Sequence, residues 1–222
     1  MVIETGSKRV FASAADWPGW SRSGRTEDDA LQTLVGYAPR YAAVLRRRVQ
    51  GFPAPSDVSG LRVAEHVKGN ATTDFGAPGV PAHVDEAPLK PKEAERLIAI
   101  LSACWVALDR AAARAAGRTL TKGPRGGGRD LDAIVRHVAE AEAGYVHRIG
   151  GTVKLPDDMR NAARVSATRK IVLDTLDARI RGEPAPENPR RKTPLWPPRY
   201  FIRRAAWHAL DHAWEIEDRS AS

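Results

Sequence analysis

Trp207-His208-Ala209-Leu210-Asp211-His212 sets two histidines four residues apart, a spacing that places both side chains on one helical face, one turn from each other. Phe201, Ala205 and Ile216 keep the same period. The spacing therefore predicts a helix over about Arg199 to Arg219 whose histidine face turns into a core. Two imidazoles side by side in a core are costly without polar partners. A divalent metal satisfies both at once, and neutral imidazole is a standard ligand for zinc, nickel or iron.

A third ligand is expected from a facing helix. His137 falls with Ile134, Val138, Ala141 and Tyr145 along one stripe of another helical segment. Three imidazoles, one from one helix and two from another, leave a coordination position open, the mark of a catalytic and not a closed structural centre. Asp211, Glu215 and Glu140 lie within a turn of these ligands. They are candidates to orient the ligands or to act as a general base toward metal-bound water. A His-x3-His pair by itself is more often a structural or surface feature. The inward stripe and the third histidine are what favour metal. Trp105, Tyr145 and Trp207 are the large residues that would instead fill the bundle core and close such a site.

Working outward, the second half offers four amphipathic helices, at about Lys92 to Ala116, Arg129 to Ile149, Pro156 to Arg181 and Arg199 to Arg219. Leu97, Leu101, Trp105 and Leu108 share a face of the first, and Pro156 is expected in the first turn of the third. The pattern predicts a four-helix bundle over residues 92–219. Residues 69–91, rich in Gly, Ala and Pro, read as a connecting segment. Thr72-Thr73-Asp74 within it suit a turn better than a site.

Residues 1–68 read as a small α/β region. Val2 to Thr5 and Arg9 to Ala14 are strands around the turn Gly6-Ser7-Lys8, and Ser21 to Gly24 is a third extended piece. Thr26, with Glu27, Asp28 and Asp29 behind it, starts a helix that carries Leu31, Leu34, Val35, Ala38, Tyr41, Ala42 and Leu45, and Pro39 is expected to break it. A further strand is expected over Leu61 to Val67. The fold class is α+β.

The remaining candidates carry less chemistry. His147 falls off the His137 face, His66 lies in strand-like sequence and His83 in the connector. Cys104, the one cysteine, sits mid-helix beside Trp105 as a packing residue; alone it excludes an internal disulfide and suits a reducing, cytoplasmic setting. Trp196, between prolines, is expected to anchor a loop. Gly126-Gly127-Gly128 lacks the strand and the Lys-Ser/Thr of a phosphate loop and reads as a turn. A net charge of +8 invites a nucleic-acid partner, but apart from Arg46-Arg47-Arg48 and Arg190-Arg191-Lys192 the basic residues are interspersed with acids, and nucleic acid is not expected. No apolar run approaches the roughly 20 residues of a membrane helix, and no signal-peptide layout follows Met1, so no membrane partner is expected.

A histidine in a His137-Val138-Ala139-Glu140-Ala141-Glu142 setting, followed by a last helix with His208-x-x-Asp211-His212, resembles the DinB/YfiT-like family of metal-binding four-helix bundles. The resemblance covers about Lys92 to Arg219. It implies His137, His208 and His212 as ligands to a divalent metal, zinc or nickel foremost. It also implies a small-molecule substrate and a thiol-dependent S-transferase or isomerase that uses a low-molecular-weight thiol such as mycothiol. No thiol-binding signature accompanies it. Val10-Phe11-Ala12-Ser13, Asp16-Trp17-Pro18-Gly19-Trp20 and Ser23-Gly24-Arg25-Thr26-Glu27 are similar to the HicB-type antitoxin fold, a small sheet with a packed helix. Trp17 and Trp20 would then be anchors beneath the sheet or at an interface. No ribbon-helix-helix or helix-turn-helix module follows, so the region is expected to cover the bundle or help it form a homodimer. The rival expectation is a non-catalytic binding or regulatory protein whose metal site is structural or vestigial.

Overall fold

Val2-Ile3-Glu4-Thr5 and Val10-Phe11-Ala12-Ser13 flank a tight turn closed by Gly6 N–H donating to the Arg9 carbonyl at 2.9 Å. They pair antiparallel as β1 (Val2–Thr5) and β2 (Val10–Ser13), Val2 opposite Ser13. The computed structural model describes residues 1–46, 48–123, 128–156, 158–187 and 193–220. β3 (Ser21–Gly24) adds antiparallel to β2, and β4 (Glu65–Lys68) adds parallel to β1, giving the order β3-β2-β1-β4. β4 begins four residues later than the apolar pattern predicts, because its partner β1 is only four residues long and the pairing opens at Val2–Glu65. Phe11 and Ala12 point to opposite faces by the strand period, and both are buried, so the sheet is covered on both sides.

Thr26 caps α1 (Glu27–Gly36) by accepting from Asp29 N–H, while Asp29 accepts from Thr26 N–H, a reciprocal cap that fixes the helix start. The expected break falls at Tyr37. Pro39, with no N–H to give, sits in the first turn of α2 (Ala38–Leu45). Trp20 lies beneath these elements, its Nε1 donating to the Leu34 carbonyl at 2.9 Å and its ring stacked on Tyr41. Gly19 before it has φ +93°, and a Cβ there would stand 2.9 Å from the Leu210 side chain and 3.0 Å from Cys104 Sγ.

The connector is more structured than expected. It holds α3 (Ala71–Phe75), capped by Asn70, and a 3-10 turn at His83–Glu86. Buried Glu4 of β1 receives Thr73 Oγ1 and the Gly79 and Val80 N–H groups, and Asp74 takes Ser7 Oγ at 2.6 Å and Lys8 N–H at 2.8 Å. The segment is therefore stitched to the first hairpin and does not cross freely.

Four long helices follow: α4 (Pro91–Ala115), α5 (Leu131–Arg148), α6 (Asn161–Ile180) and α7 (Pro198–Ser220). α6 starts five residues after Pro156 because the Pro156 carbonyl is taken by Met159 N–H and by the Arg164 guanidinium in a preceding turn. α7 packs along α4 and against α5 and α6. Its burial is the main departure from a one-sided amphipathic helix: every residue from Tyr200 to Leu210 is buried, Arg203 and Arg204 included. Phe11 of β2 meets Trp207 edge-on, and Asp85 pairs with Arg203 in full burial. α7 thus runs between the sheet side and the other long helices. Ile3, Trp20, Tyr41, Leu101, Ile134 and Phe201 belong to one contiguous apolar cluster.

Candidate metal centre

Asp130 caps α5 through Ala133 N–H at 2.8 Å, and the buried pair Ile134 and Val138 fixes which face of the helix turns inward. His137 lies between them, half-buried, and meets His208 and His212 of α7. One nitrogen from each ring lies within 4.8 Å of the other two. The His137 and His208 Nε2 atoms stand 3.3 Å apart, and the three ring centroids are 4.8–5.1 Å from one another.

The surroundings of His137 and His208 favour the neutral ring. Burial pushes His208 well below the usual histidine range, and the neighbouring His212 and Arg204 push the same way. His137 is lowered by burial and then by His212. Neutral imidazoles with facing nitrogens are the form that binds a cation. Glu215 accepts from His212 Nδ1 at 2.7 Å, which leaves Nε2 of His212 for the cluster. That hydrogen bond holds the Glu215 carboxyl below the usual range despite partial burial. Arg219 holds Glu215 in turn at 2.7 Å, and gives its remaining donors to the Thr121 and Arg129 carbonyls. The donor set of three imidazoles, with a carboxylate orienting one of them, fits a divalent cation.

The acids expected around the ligands separate. Glu215 is in place. Asp211 is drawn off by Arg22 of β3 at 2.8 Å and bonds none of the three histidines among the described residues. Glu140 is exposed and reaches His137 only through its charge. His147 is exposed, His66 pairs with Glu27 and His83 with Glu86 on the surface. Cys104 is fully buried and its thiol is pushed far up by burial, so it packs. Trp196 anchors its loop, its N–H on the Arg148 carbonyl at 2.7 Å and its ring against Tyr145. Of the Gly126-Gly127-Gly128 run, the first two lie outside the described residues, as do Arg47, Arg190, Arg191 and Lys192. Gly128 has φ +155°, and a Cβ there would come within 2.5 Å of the Arg219 guanidinium.

No family model, curated protein or solved structure matches this chain.

Arg204 went unread in the sequence. It stands one turn before His208, is buried, lies over the Trp207 ring at 4.7 Å, and keeps an Nη1 with no partner among the described residues. Its i−4 spacing from His208 was the available signal. Tyr145 lies 5.9 Å from His208 and Trp207 stacks beside it, so two of the three core-filling aromatics flank the histidines. Trp105 instead lies away from them, its Nε1 donating to Glu142 of α5 and the Arg169 guanidinium of α6 lying over its ring. Two cavities, of about 330 and 810 Å³, lie elsewhere, and none of the three histidines lines either. The smaller gathers Arg40, Arg46, Arg48, Arg110 and Arg114 from α2, the turn after it and α4, a clustering that their positions along the chain conceal.

Proposed function

We propose that this chain binds one divalent metal, zinc or nickel foremost, through His137, His208 and His212, and acts as a metal-dependent enzyme on a small molecule. The observation that carries the reading is the meeting of three ring nitrogens within 4.8 Å from two helices far apart in sequence. Three imidazoles leave room for a further ligand on the metal. A bound metal would supply Lewis acidity toward a water or thiol held there. The chain's own part is to keep His137 and His208 unprotonated, to orient His212 through Glu215, and to place the Arg204 cation one turn away, where an anionic substrate group would be held.

The helical half and its histidine set support a DinB/YfiT-like reading, within which a thiol-dependent transferase or isomerase is the activity to assay first. A small sheet with α1 packed on β2 and β3 supports a HicB-like reading of the N-terminal region. That region serves here as a cover over α7. One observation favours the non-catalytic alternative: Tyr145 and Trp207 crowd His208. A metal that only ties α5 to α7 would suit that packing.

Metal analysis of the purified chain tests the first step. About one zinc or nickel per chain is expected after desalting, and none in His208→Ala. No stoichiometric metal in the wild type would end both the catalytic and the structural-metal readings.

A further inference from the structure

Glu142 lies five residues beyond His137, on a different face of α5, and is buried to 1% exposure. One carboxylate oxygen, Oε1, accepts from Trp105 Nε1 of α4. The other, Oε2, is buried with no partner among the described residues. Leaving a carboxylate oxygen unpaired in a core is costly. The nearest internal cation, Arg169 of α6, turns Nη1 and Nη2 to Asp109 at 2.7 and 2.9 Å; its Nε stays buried without a hydrogen bond, and it acts on Glu142 through charge alone.

The free oxygen belongs to a residue that lines a cavity of about 810 Å³ between α4, α5 and α6. That volume is in the range of small-molecule sites. Its walls carry Val106, Val135, Val138, Val165 and Leu173. The lining acids are Asp109, Asp132 and Glu142, and the lining bases are Arg169 and Lys170. Both bases are already paired, Arg169 with Asp109 and Lys170 with Asp174. The cleft therefore offers apolar walls, an aromatic wall in Trp105 and one buried carboxylate oxygen that no described donor reaches, Arg169 acting on it only through its charge.

We propose that this cavity is a second ligand site, separate from the three histidines, that takes a small hydrophobic amine whose ammonium group donates to Glu142 Oε2. An ammonium head supplies both the missing donor and the missing charge, and an apolar body fills the remaining space. Burial raises the Glu142 carboxyl to about 7, so near neutrality it ionises readily when a cation arrives. Binding there needs no metal and is independent of the histidine site.

The test is a fluorescence titration of the full chain at pH 8 with 1-naphthylmethylamine, beside 1-naphthalenemethanol and 1-naphthaleneacetate, which share its ring. The amine is expected to bind most tightly and the acetate not at all. Glu142→Gln is expected to weaken the amine about 10–100-fold, the usual worth of a charge-assisted hydrogen bond. Val165→Trp, which fills the cavity from α6 and leaves Glu142 intact, is expected to abolish binding, and His208→Ala to leave it unchanged. The proposal is overturned if the amine does not bind, if the alcohol or acetate binds as well as the amine, or if either cavity variant binds the amine as the wild type does.

Discussion

His212 and Glu215 stand three residues apart on α7, and Nδ1 of the one meets Oε2 of the other at 2.7 Å. The carboxylate thereby settles which ring nitrogen of His212 is left for the cluster. Partners of this kind commonly contribute about 10–100-fold to metal affinity. Glu215→Gln should lower zinc affinity by that factor in a chelator competition, while circular dichroism stays at wild type. Unchanged affinity would mean that the contact has no part in binding.

Arg203 and Asp85 form a buried pair that ties the His83–Glu86 turn to α7. Removing one partner strands a charge in the core, which typically costs about 3–5 kcal/mol. Asp85→Ala should lose stability on that scale in urea melts, and Asp85→Leu with Arg203→Met should recover most of it. A single variant within about 0.5 kcal/mol of wild type would contradict the burial.

Glu142 titrates at about 7 in the fold, above the ordinary carboxyl value of 4.5. The folded chain therefore holds this proton more tightly than the unfolded one. The resulting stability is fully present below about pH 4.5 and is lost as pH rises through about 7, a change of up to roughly 3 kcal/mol. Denaturant melts across that window should show this decline in the wild type and a flatter profile in Glu142→Gln. Parallel profiles would refute it.

Gly19→Ala asks a β-carbon to fit at φ +93° against Leu210 and Cys104. A loss of more than about 1 kcal/mol is expected, read as a lower melting temperature. Adding Leu210→Ala should not add its full cost, because it relieves the same contact. Simple additivity of the two changes would place the strain in the backbone alone.

Much of this was legible in the chain. The i,i+4 spacing of His208 and His212 and the stripe position of His137 were enough to bring the three together. Thr26 with its acids, Pro39, and the four helical periods placed the helices to within a few residues, except at Pro156. Partners far along the chain were not legible. Nothing local marks Arg22 as the residue that takes Asp211 from the histidines, or Asp85 as the partner of Arg203. Period alone also understated α7. A stripe predicts one buried face, and only the closing of the sheet side over the other face buries the rest.

That enclosure has a consequence for synthesis. α7 lies after every other described element, yet both the sheet side and the remaining helices rest on it. As the chain leaves the ribosome, earlier segments can form hairpins and single helices, but their shared interior stays open to water until residues 198–220 emerge. Premature release shortly before Pro198 would leave a product with two exposed oily faces, a natural client for chaperones and proteases.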